Sequence, residues 1–506
     1  MPRLPLPALP PPPDVTHRGR LSEADAAELD AILAILPQDA DDSLLARLPQ
    51  SERWRRLHAR TNVAAGEVRS AMLANARDTR VVLGVLPRGA GAFETLALAG
   101  RMLKEAAARE PARIALAAPG RSGPSAEALG ALLSAALAHA FELPTFRKRS
   151  GARRRIRRIE LADAARIDLP YLEAAANGNN LARFLTALPP NVLDARSYRH
   201  FIVALAREHR LTVRWLDEPA LERLGAGAFL AVARGNAQRT AGIAHLSYRP
   251  DRRRRAVPDV AFIGKGILFD TGGTNLKPHR AMLDMHTDMA GSAVALATLC
   301  ALARLRAPLA ADAWIAVTEN SIGPRAYRPQ EVVRAVNGTT IQVIHTDAEG
   351  RMVLADTLAL AGRTEPRLMI DFATLTGTCV HALTERMSGV FTNEPRLAAK
   401  LLDAGRASGE RVWNFPLDAD YDSDLESKVA DVMQCAPEAK GDHILAARFL
   451  SRFVPERIPW VHIDLSAALR AGGLGHIHTD VTGFGVRYAL ELILKTRVLD
   501  ELKAPE

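Results

Sequence analysis

Apolar and polar positions alternate along the chain with two periods, one typical of short buried strands and one typical of helices. In the first half, residues 81–87 (VVLGVLP) and 113–119 (RIALAAP) are apolar runs of strand length. Between them, residues 93–110 have the spacing of an amphipathic helix. Strands that alternate with such helices favour a parallel sheet layered by helices. We therefore predict an α/β domain over residues 21–165.

A helical pattern over residues 171–188 ends at two consecutive prolines, where a helix is expected to stop. We interpret residues 166–190 as a helical connector. From residue 191 the alternation resumes, with a predicted helix at 196–208 and strands at 211–216, 241–247 and 260–264. Residues 191–506 are thus predicted to form one larger α/β domain, whose chemistry we expect at the carboxyl ends of its strands.

The first thirteen residues contain seven prolines, so residues 1–20 are expected to be a disordered arm and not a signal or transit helix. Hydrophobic residues make up 48% of the 506 and charged residues 24%, as in ordinary globular proteins. No run approaches the roughly 20 apolar residues that cross a bilayer, so we expect no membrane association. The three cysteines are scattered, which favours a reducing compartment and hence the cytoplasm.

The net charge of +9 is concentrated in two segments. Residues 147–160 contribute +7 and residues 249–255 contribute +4, which together exceed the whole net charge. A solvated strand edge and a surface loop explain these segments, and a patch that binds DNA or another polyanion is the alternative. No aromatic residues are interleaved to stack on single-stranded bases, which weakens that alternative.

Acids and lysines are concentrated in three glycine-containing segments. In the first, AFIGKGILFDTGGTNLKP, Lys265 lies inside an apolar strand that ends at Asp270. A buried lysine needs a partner, and burial lowers its pKa so that the neutral amine can act as a ligand. A straight strand would place Lys265 and Asp270 on opposite faces, and Gly264 and Gly266 could supply the bend that unites them. A surface strand with an exposed lysine explains the segment equally well.

The other two segments supply three more acids. Asp288 immediately precedes a long apolar helix, where it is either a capping residue or a functional carboxylate. In IQVIHTDAEGRMVLAD, the two-residue spacing of Asp347 and Glu349 places both carboxylates on one face of an extended chain. Such like charges repel unless a cation lies between them or one is protonated. With Lys265 and Asp270 these acids would suit two divalent cations, and Zn²⁺, Mn²⁺ and Mg²⁺ all remain open.

The motifs GKGILFDTGG, DMAGSA, ENSIGPRAYRPQEVV, HTDAEGRMVLAD and DFATLTGT, in this order, resemble those of the leucyl aminopeptidase family. The similarity extends over about residues 180–487. It implies a smaller N-terminal α/β domain and a larger catalytic α/β domain with a central mixed sheet flanked by helices. It also implies peptide substrates, a homohexamer, and metal ligands at five positions: Lys265, Asp270, Asp288, Asp347 and Glu349.

The resemblance further implies roles for two catalytic side chains. A hydroxide that bridges two metal ions, Zn²⁺ or Mn²⁺, would attack the peptide carbonyl, and Lys277 would stabilise the developing oxyanion. Arg351 would hold a bicarbonate ion as proton shuttle, with an ion pair to an acidic residue as the alternative. The side-chain pocket falls on Met285, Thr374 and Gly377, and the apolar Met285 is consistent with leucine-like first residues.

Two features depart from the family pattern. His345 stands where an asparagine usually precedes the TDAEG motif, and residues 462–487 differ between the last strand and the last helix. His476 and His478 have metal-pair spacing but are not expected to be ligands, because the five-residue set is already complete. The rival function is an aminopeptidase-like scaffold whose basic strand at residues 153–158 binds DNA or another polyanion.

Overall fold

The fold is that of a computed structural model, which describes residues 5–120, 123–148, 155–162, 167–251, 257–438 and 440–502. The N-terminal part is built on a six-stranded sheet with the order β1-β6-β5-β2-β4-β3. Its strands are β1 (Asp14–His17), β2 (Ala31–Pro37), β3 (Val68–Met72), β4 (Arg80–Leu86), β5 (Arg113–Ala117) and β6 (Arg158–Ala162). Its helices are α1 (Glu23–Ala27), α2 (Asp42–Leu45), α3 (Ser51–Arg60), α4 (Ala92–Ala107) and α5 (Gly123–Ala140).

All strand pairs of this sheet are parallel except β3 with β4, as the alternation of strands and helices predicts. The expectation of a disordered arm is wrong for Asp14–His17, because β1 pairs in parallel with β6. This pairing makes β6 an interior strand, so residues 158–160 of the basic segment do not form a solvated strand edge. Arg153, Arg154 and residues 252–255 lie outside the described residues, and so does the expected domain boundary at 165–166.

The larger part is built on an eight-stranded mixed sheet with the order β15-β14-β17-β13-β9-β10-β8-β7, beside a small sheet with the order β11-β12-β16. These strands are β7 (Thr212–Asp217), β8 (Gly242–Tyr248), β9 (Val260–Asp270), β10 (Ala311–Asn320), β11 (Val332–Arg334), β12 (Thr340–Gln342), β13 (Met369–Ala373), β14 (Ser388–Thr392), β15 (Val412–Asn414), β16 (Val432–Met433) and β17 (Trp460–Asp464). The four central strands, β17, β13, β9 and β10, are parallel to one another.

Helices cover both faces of this sheet. They are α6 (Leu169–Thr186), α7 (Ala195–Glu208), α8 (Glu218–Leu224), α9 (Gly227–Ala233), α10 (His279–Met282), α11 (Ala290–Arg304), α12 (Glu349–Gly362), α13 (Gly377–Leu383), α14 (Ala398–Ser408), α15 (Asp442–Ser451) and α16 (Val486–Leu490). Alternate side chains of β9 enter two cores: Val260 and Phe262 pack on the side of α11, and Ala261 and Ile263 pack on the side of α12. The mixed sheet flanked by helices confirms the predicted fold class.

One stretch of the described chain, His279–Arg304, is long and apolar enough to cross a membrane. In the folded protein, 89% of the most apolar part of this stretch is buried. Helix α11, which forms most of the stretch, packs against α6 and against β9. The stretch therefore has the burial of a core helix.

Candidate active site

The carboxyl ends of the central parallel strands meet at one edge of the large sheet. Asp270 ends β9, Asn320 ends β10 and Thr374 directly follows β13. A β-bulge occurs where Thr318 and Asn320 of β10 pair with Ile267 and Asp270 of β9, because β9 contains one extra residue there. The extra residue inverts the alternation of side chains, so Asp270 reaches the same face as Lys265.

The bulge, and not a glycine bend, brings Lys265 and Asp270 together, so that part of the sequence prediction is wrong. Strand β9 runs without interruption through Gly264 and Gly266. A Cβ at Gly264 would lie 2.5 Å from the Cα of Ser292, and one at Gly266 would lie 3.0 Å from its Cβ. These glycines therefore allow α11 to approach β9 closely.

Lys265 is buried among carboxylates on the α12 side of the sheet. Its Nζ lies 2.8 Å from Asp288 Oδ1 and 3.1 Å from Glu349 Oε1, and it donates a hydrogen bond of 2.8 Å to the carbonyl of Thr374. A Cβ at Gly350 would lie 2.5 Å from Lys265 Cε, so only glycine leaves room for this side chain. Sequence analysis did not foresee this role for Gly350.

The second lysine reaches the same cluster from the loop after β9. Lys277 Nζ lies 3.0 Å from Asp270 Oδ2 and 2.5 Å from Asp347 Oδ1. Its backbone N–H donates to the carbonyl of Thr271, which closes the loop. Gly272 has a φ of +84°, and a Cβ there would lie 2.9 Å from Asp347 Oδ1. The loop thus needs glycine both for its backbone conformation and for the approach of Asp347.

Asp347 and Glu349 do not lie on an extended strand, so that premise of the sequence analysis is wrong. Strand β12 ends at Gln342, and Glu349 is the first residue of α12. The two carboxylates still converge, because one oxygen each from Asp270, Asp347 and Glu349 lie within 4.8 Å of one another. A carboxylate in the first turn of a helix is also favoured by the helix dipole.

Burial and mutual repulsion raise the pKa values of three acids in this cluster, Asp288, Asp347 and Glu349. Burial raises the pKa of Asp288 to about 6. Burial, followed by the charge of Asp270, raises the pKa of Glu349 well above its ordinary value and that of Asp347 less strongly. Each of these acids is therefore costly to keep ionised unless a cation lies nearby.

The lysines respond in the opposite direction. Burial alone lowers the pKa of the Lys265 amine, but the carboxylates of Asp288, Glu349 and Asp270 outweigh it and raise the pKa. The same balance raises the pKa of Lys277. The sequence-based expectation of a lowered pKa at Lys265 is wrong, because it considered burial without the surrounding acids.

The donor set fits divalent cations. The four carboxylates outnumber the two lysines among them, and oxygen-rich sets of this kind suit Mn²⁺ and Mg²⁺, with Zn²⁺ also accepting carboxylate ligands. Asp288 Oδ2 and Glu349 Oε2 are buried and have no hydrogen-bond partner among the described residues. Unpartnered buried carboxylate oxygens of this kind are the groups that a metal ion satisfies.

Arg351 is buried on α12, with 2% of its side chain exposed. Its Nη2 donates to Asp442 Oδ2 at 2.7 Å, and its Nη1 donates to the carbonyl of Gln434 at 3.3 Å. Burial lowers its pKa, but the carboxylate of Asp442 outweighs this and raises it. The structure thus shows the ion pair that sequence analysis considered as the alternative, and the residues present do not fit a bicarbonate ion.

The three residues assigned to the side-chain pocket have different environments. Thr374 is tied to the acidic cluster, because its Oγ1 donates to Asp288 Oδ1 at 2.7 Å. Gly377 is exposed at the start of α13. Met285 is half-buried and is the first residue of a short 3₁₀ turn, Met285–Thr287, that precedes α11. Of the three, only Thr374 makes a side-chain hydrogen bond to a residue of the cluster, whereas the backbone carbonyl of Met285 accepts one of 3.4 Å from the N–H of Asp288.

Several residues that support the site were not selected from the sequence. Asn320 donates to Asp270 Oδ1 at 2.8 Å and to the carbonyl of Thr346 at 3.0 Å. Tyr327 also donates to the carbonyl of Thr346, at 2.7 Å. Asn320 and Tyr327 lie within the family-like segment ENSIGPRAYRPQEVV, which is the signal that could have found them. Asp442 lies outside every such motif.

The comparisons with known proteins agree with this geometry. The family model described as "Cytosol aminopeptidase family, catalytic domain" matches residues 180–490. A protein of Syntrophotalea carbinolica named "Probable cytosol aminopeptidase" is 42% identical over 321 residues. The match covers 63% of this chain and 63% of that protein, so it spans less than two thirds of the relative's length. A protein of Gluconobacter oxydans with the same name is 37% identical over 80% of this chain and 83% of its own.

A solved structure is also similar. "Bottromycin maturation enzyme BotP in complex with Mn" is 31% identical, with a TM-score of 0.79 over 93% of this chain and 99% of that one. These findings confirm the resemblance of the sequence motifs to the leucyl aminopeptidases. The chain therefore belongs to the cytosol aminopeptidase family.

Proposed function

We propose that this protein is a metal-dependent aminopeptidase that removes the N-terminal residue of peptides, with a preference for leucine-like residues. The observation that carries the proposal is the convergence of four carboxylates and two lysines at one edge of the large sheet. Membership of the cytosol aminopeptidase family supports the same activity. A cytoplasmic location is proposed as well, because both relatives are named as cytosol aminopeptidases.

The residues proposed to hold two divalent cations, Zn²⁺ or Mn²⁺, are Lys265, Asp270, Asp288, Asp347 and Glu349. Lys265 would bind as the neutral amine, because a cation that enters the cluster displaces its proton. When bound there, such cations would polarise the scissile carbonyl and would lower the pKa of a water molecule towards neutrality. The Mn²⁺ complex of the similar bottromycin maturation enzyme is consistent with this choice of ion.

Lys277 is proposed to stabilise the oxyanion that forms on the scissile carbonyl. The Lys277 side chain is 14% exposed to solvent at the edge of the cluster, so a substrate can reach its ammonium group. A fixed positive charge in a water-poor site stabilises developing negative charge more than a solvated one does.

The substrate is proposed to present its free α-amine to the acidic cluster and its first side chain to Met285, Thr374 and Gly377. A free amine suits a cluster of carboxylates, whereas an acylated amine carries no charge and its lone pair is delocalised into the carbonyl. Peptide substrates and the homohexamer implied by the family resemblance remain part of this proposal. Sedimentation velocity of the purified protein tests the hexamer.

Hydrolysis of leucine p-nitroanilide with added Mn²⁺ or Zn²⁺ tests the activity. The expected result is turnover of this substrate and none of N-acetyl-leucine p-nitroanilide, which differs only at the α-amine. Asp347→Ala and Glu349→Ala should abolish turnover. Asp403→Ala, which removes a carboxylate from an exposed ion pair with Arg406, is the matched control. Turnover of the acetylated substrate, or retained activity of either site variant, would refute the proposal.

The alternative of a DNA-binding or polyanion-binding scaffold receives no support from the comparisons. In the described part of the basic segment, Arg158 lies 3.9 Å from the carboxylate of Glu160, which Arg18 and Arg113 also approach. Part of the positive charge there is therefore compensated within the protein.

A further inference from the structure

The guanidinium of Arg351 already has an anionic partner from the chain itself. Asp442 Oδ2 accepts a hydrogen bond of 2.7 Å from Nη2, and the carbonyl of Gln434 accepts one of 3.3 Å from Nη1. The third nitrogen, Nε, is buried and has no partner among the described residues. The two charges of this pair therefore compensate each other beside the acidic cluster.

The local backbone holds Asp442 in this position. Gly441 has a φ of +62°, in the left-handed region that favours glycine, and the chain turns there into α15. Asp442 is the first residue of that helix, where its negative charge is favoured by the helix dipole. It keeps 22% of its side chain exposed, whereas Arg351 keeps 2%. The carboxylate thus stands between the buried guanidinium and solvent.

This arrangement competes with a free planar anion on Arg351. A guanidinium binds a carboxylate or bicarbonate at two points through adjacent N–H groups, and Nη2 belongs to both of its forks. Asp442 already lies on Nη2, so a second anion would approach a carboxylate of the same charge. An anion that contacted only Nε would lack the second hydrogen bond, which Nη2 would have to donate.

We propose that Asp442 is the built-in anion of Arg351, so that hydrolysis by this protein does not depend on dissolved bicarbonate. Asp442 acts as a positioning residue, because it holds the guanidinium of Arg351 and does not itself belong to the acidic cluster. The inference rests on the proposed aminopeptidase activity, and it differs from the bicarbonate role that the family resemblance implies.

The test compares turnover of leucine p-nitroanilide in CO₂-depleted buffer with and without added sodium bicarbonate, at fixed pH and ionic strength. Wild-type kcat should be the same in both buffers. Asp442→Ala should lose about tenfold in kcat without bicarbonate, which is the size of one hydrogen bond between charged groups. Added bicarbonate should restore its kcat, with little change in KM.

Thermal unfolding gives a second readout that does not require activity. Bicarbonate should raise the Tm of Asp442→Ala, because a ligand that binds only the folded state stabilises it, and should leave the wild-type Tm unchanged. Asp442→Asn keeps the shape of the side chain without its charge, so its low kcat should not be restored. Asp403→Ala should behave as wild type in both measurements.

Three results would overturn the inference. The first is a wild-type kcat that rises with bicarbonate, and the second is full activity of Asp442→Ala without bicarbonate. The third is an Asp442→Ala protein in which bicarbonate changes neither kcat nor Tm. The wild-type measurement needs no variant, so it remains decisive if Asp442→Ala does not fold. Absence of wild-type turnover in every buffer would instead refute the proposed function, while the Tm measurement would still test the anion site.

Discussion

Buried carboxylates are compensated differently in the two large sheets. In the N-terminal sheet, Glu160 of β6 is approached by Arg18 at 2.7 Å, Arg113 at 3.6 Å and Arg158 at 3.9 Å. These arginines keep 30–45% of their side chains exposed, so they reach the buried acid from solvent. One acid is thus surrounded by three bases.

At the edge of the eight-stranded sheet the balance is reversed. The carboxylates of Asp270, Asp288, Asp347 and Glu349 surround only two ammonium groups. Asp288 Oδ2 and Glu349 Oε2 are buried with neither a hydrogen bond nor an ion pair among the described residues. Burial of charge alone therefore does not mark a functional site. The excess of acid over base marks it, because the acids can all stay ionised there only with cations nearby.

The largest expected effect is on catalysis. Lys277→Met keeps the length of the side chain and removes its charge, so kcat/KM for leucine p-nitroanilide should fall by about 100- to 1,000-fold, as for loss of an oxyanion donor. Arg113→Met removes a base from Glu160 in the other sheet and should leave kcat/KM unchanged. Equal losses in both variants would show that the two sheets do not differ in this way.

Metal binding should stabilise the protein through the large sheet alone. At a Mn²⁺ concentration of 100 times Kd, the free energy of unfolding should rise by about 2.7 kcal/mol over that in EDTA, measured by urea unfolding. Glu349→Gln should lose most of this rise, whereas Glu160→Gln should keep it. A rise that survives in Glu349→Gln would place the stabilising ion elsewhere.

A smaller loss of activity is expected from a single added methyl group. In Gly350→Ala the new Cβ would lie 2.5 Å from Lys265 Cε, so the amine must move away from Asp288 and Glu349. We expect about a tenfold lower kcat, even though alanine favours a helix by roughly 1 kcal/mol over glycine. The control is Gly19→Ala, where a Cβ would meet no atom within 4 Å. Unchanged kcat would mean that the position of Lys265 does not matter.

The smallest effect should come from the acid of the N-terminal sheet. Glu160→Gln removes the charge that the three arginines share, but those arginines can turn to solvent, so the free energy of unfolding should fall by about 1 kcal/mol. Urea unfolding measures this loss, and activity at saturating Mn²⁺ should not change. A fall in activity as large as that of Lys277→Met would contradict the separation of the two regions.

The elements of the fold were largely predictable, and one pairing was not. The runs at residues 81–87 and 113–119 form β4 and β5, and the pattern at 93–110 forms α4, because periodicity reports local burial. Strand β1 was missed because its formation depends on pairing with β6, which lies more than 140 residues away. The preceding prolines also favour an irregular chain.

The chemistry of the site was visible in the sequence, but its assembly was not. The carboxylates, Lys265 and Lys277 lie in segments whose residue types already predict a cation site. The β-bulge before Asp270 is a feature of pairing between β9 and β10, which residue types do not reveal. Arg351 and Asp442 are separated by 91 positions, so no local spacing predicts their contact.

The order of residues along the chain is enough to identify the functional groups that are available, the alternation of strands and helices, and the family, because these depend on local composition and order. Three contacts depend on the folded arrangement: Asp270 shares a face with Lys265, Gly350 makes room for that lysine, and Asp442 pairs with the guanidinium of Arg351. Each of these depends on strand register or on the packing of elements distant in the chain, and such contacts form only when the sheet and its helices come together.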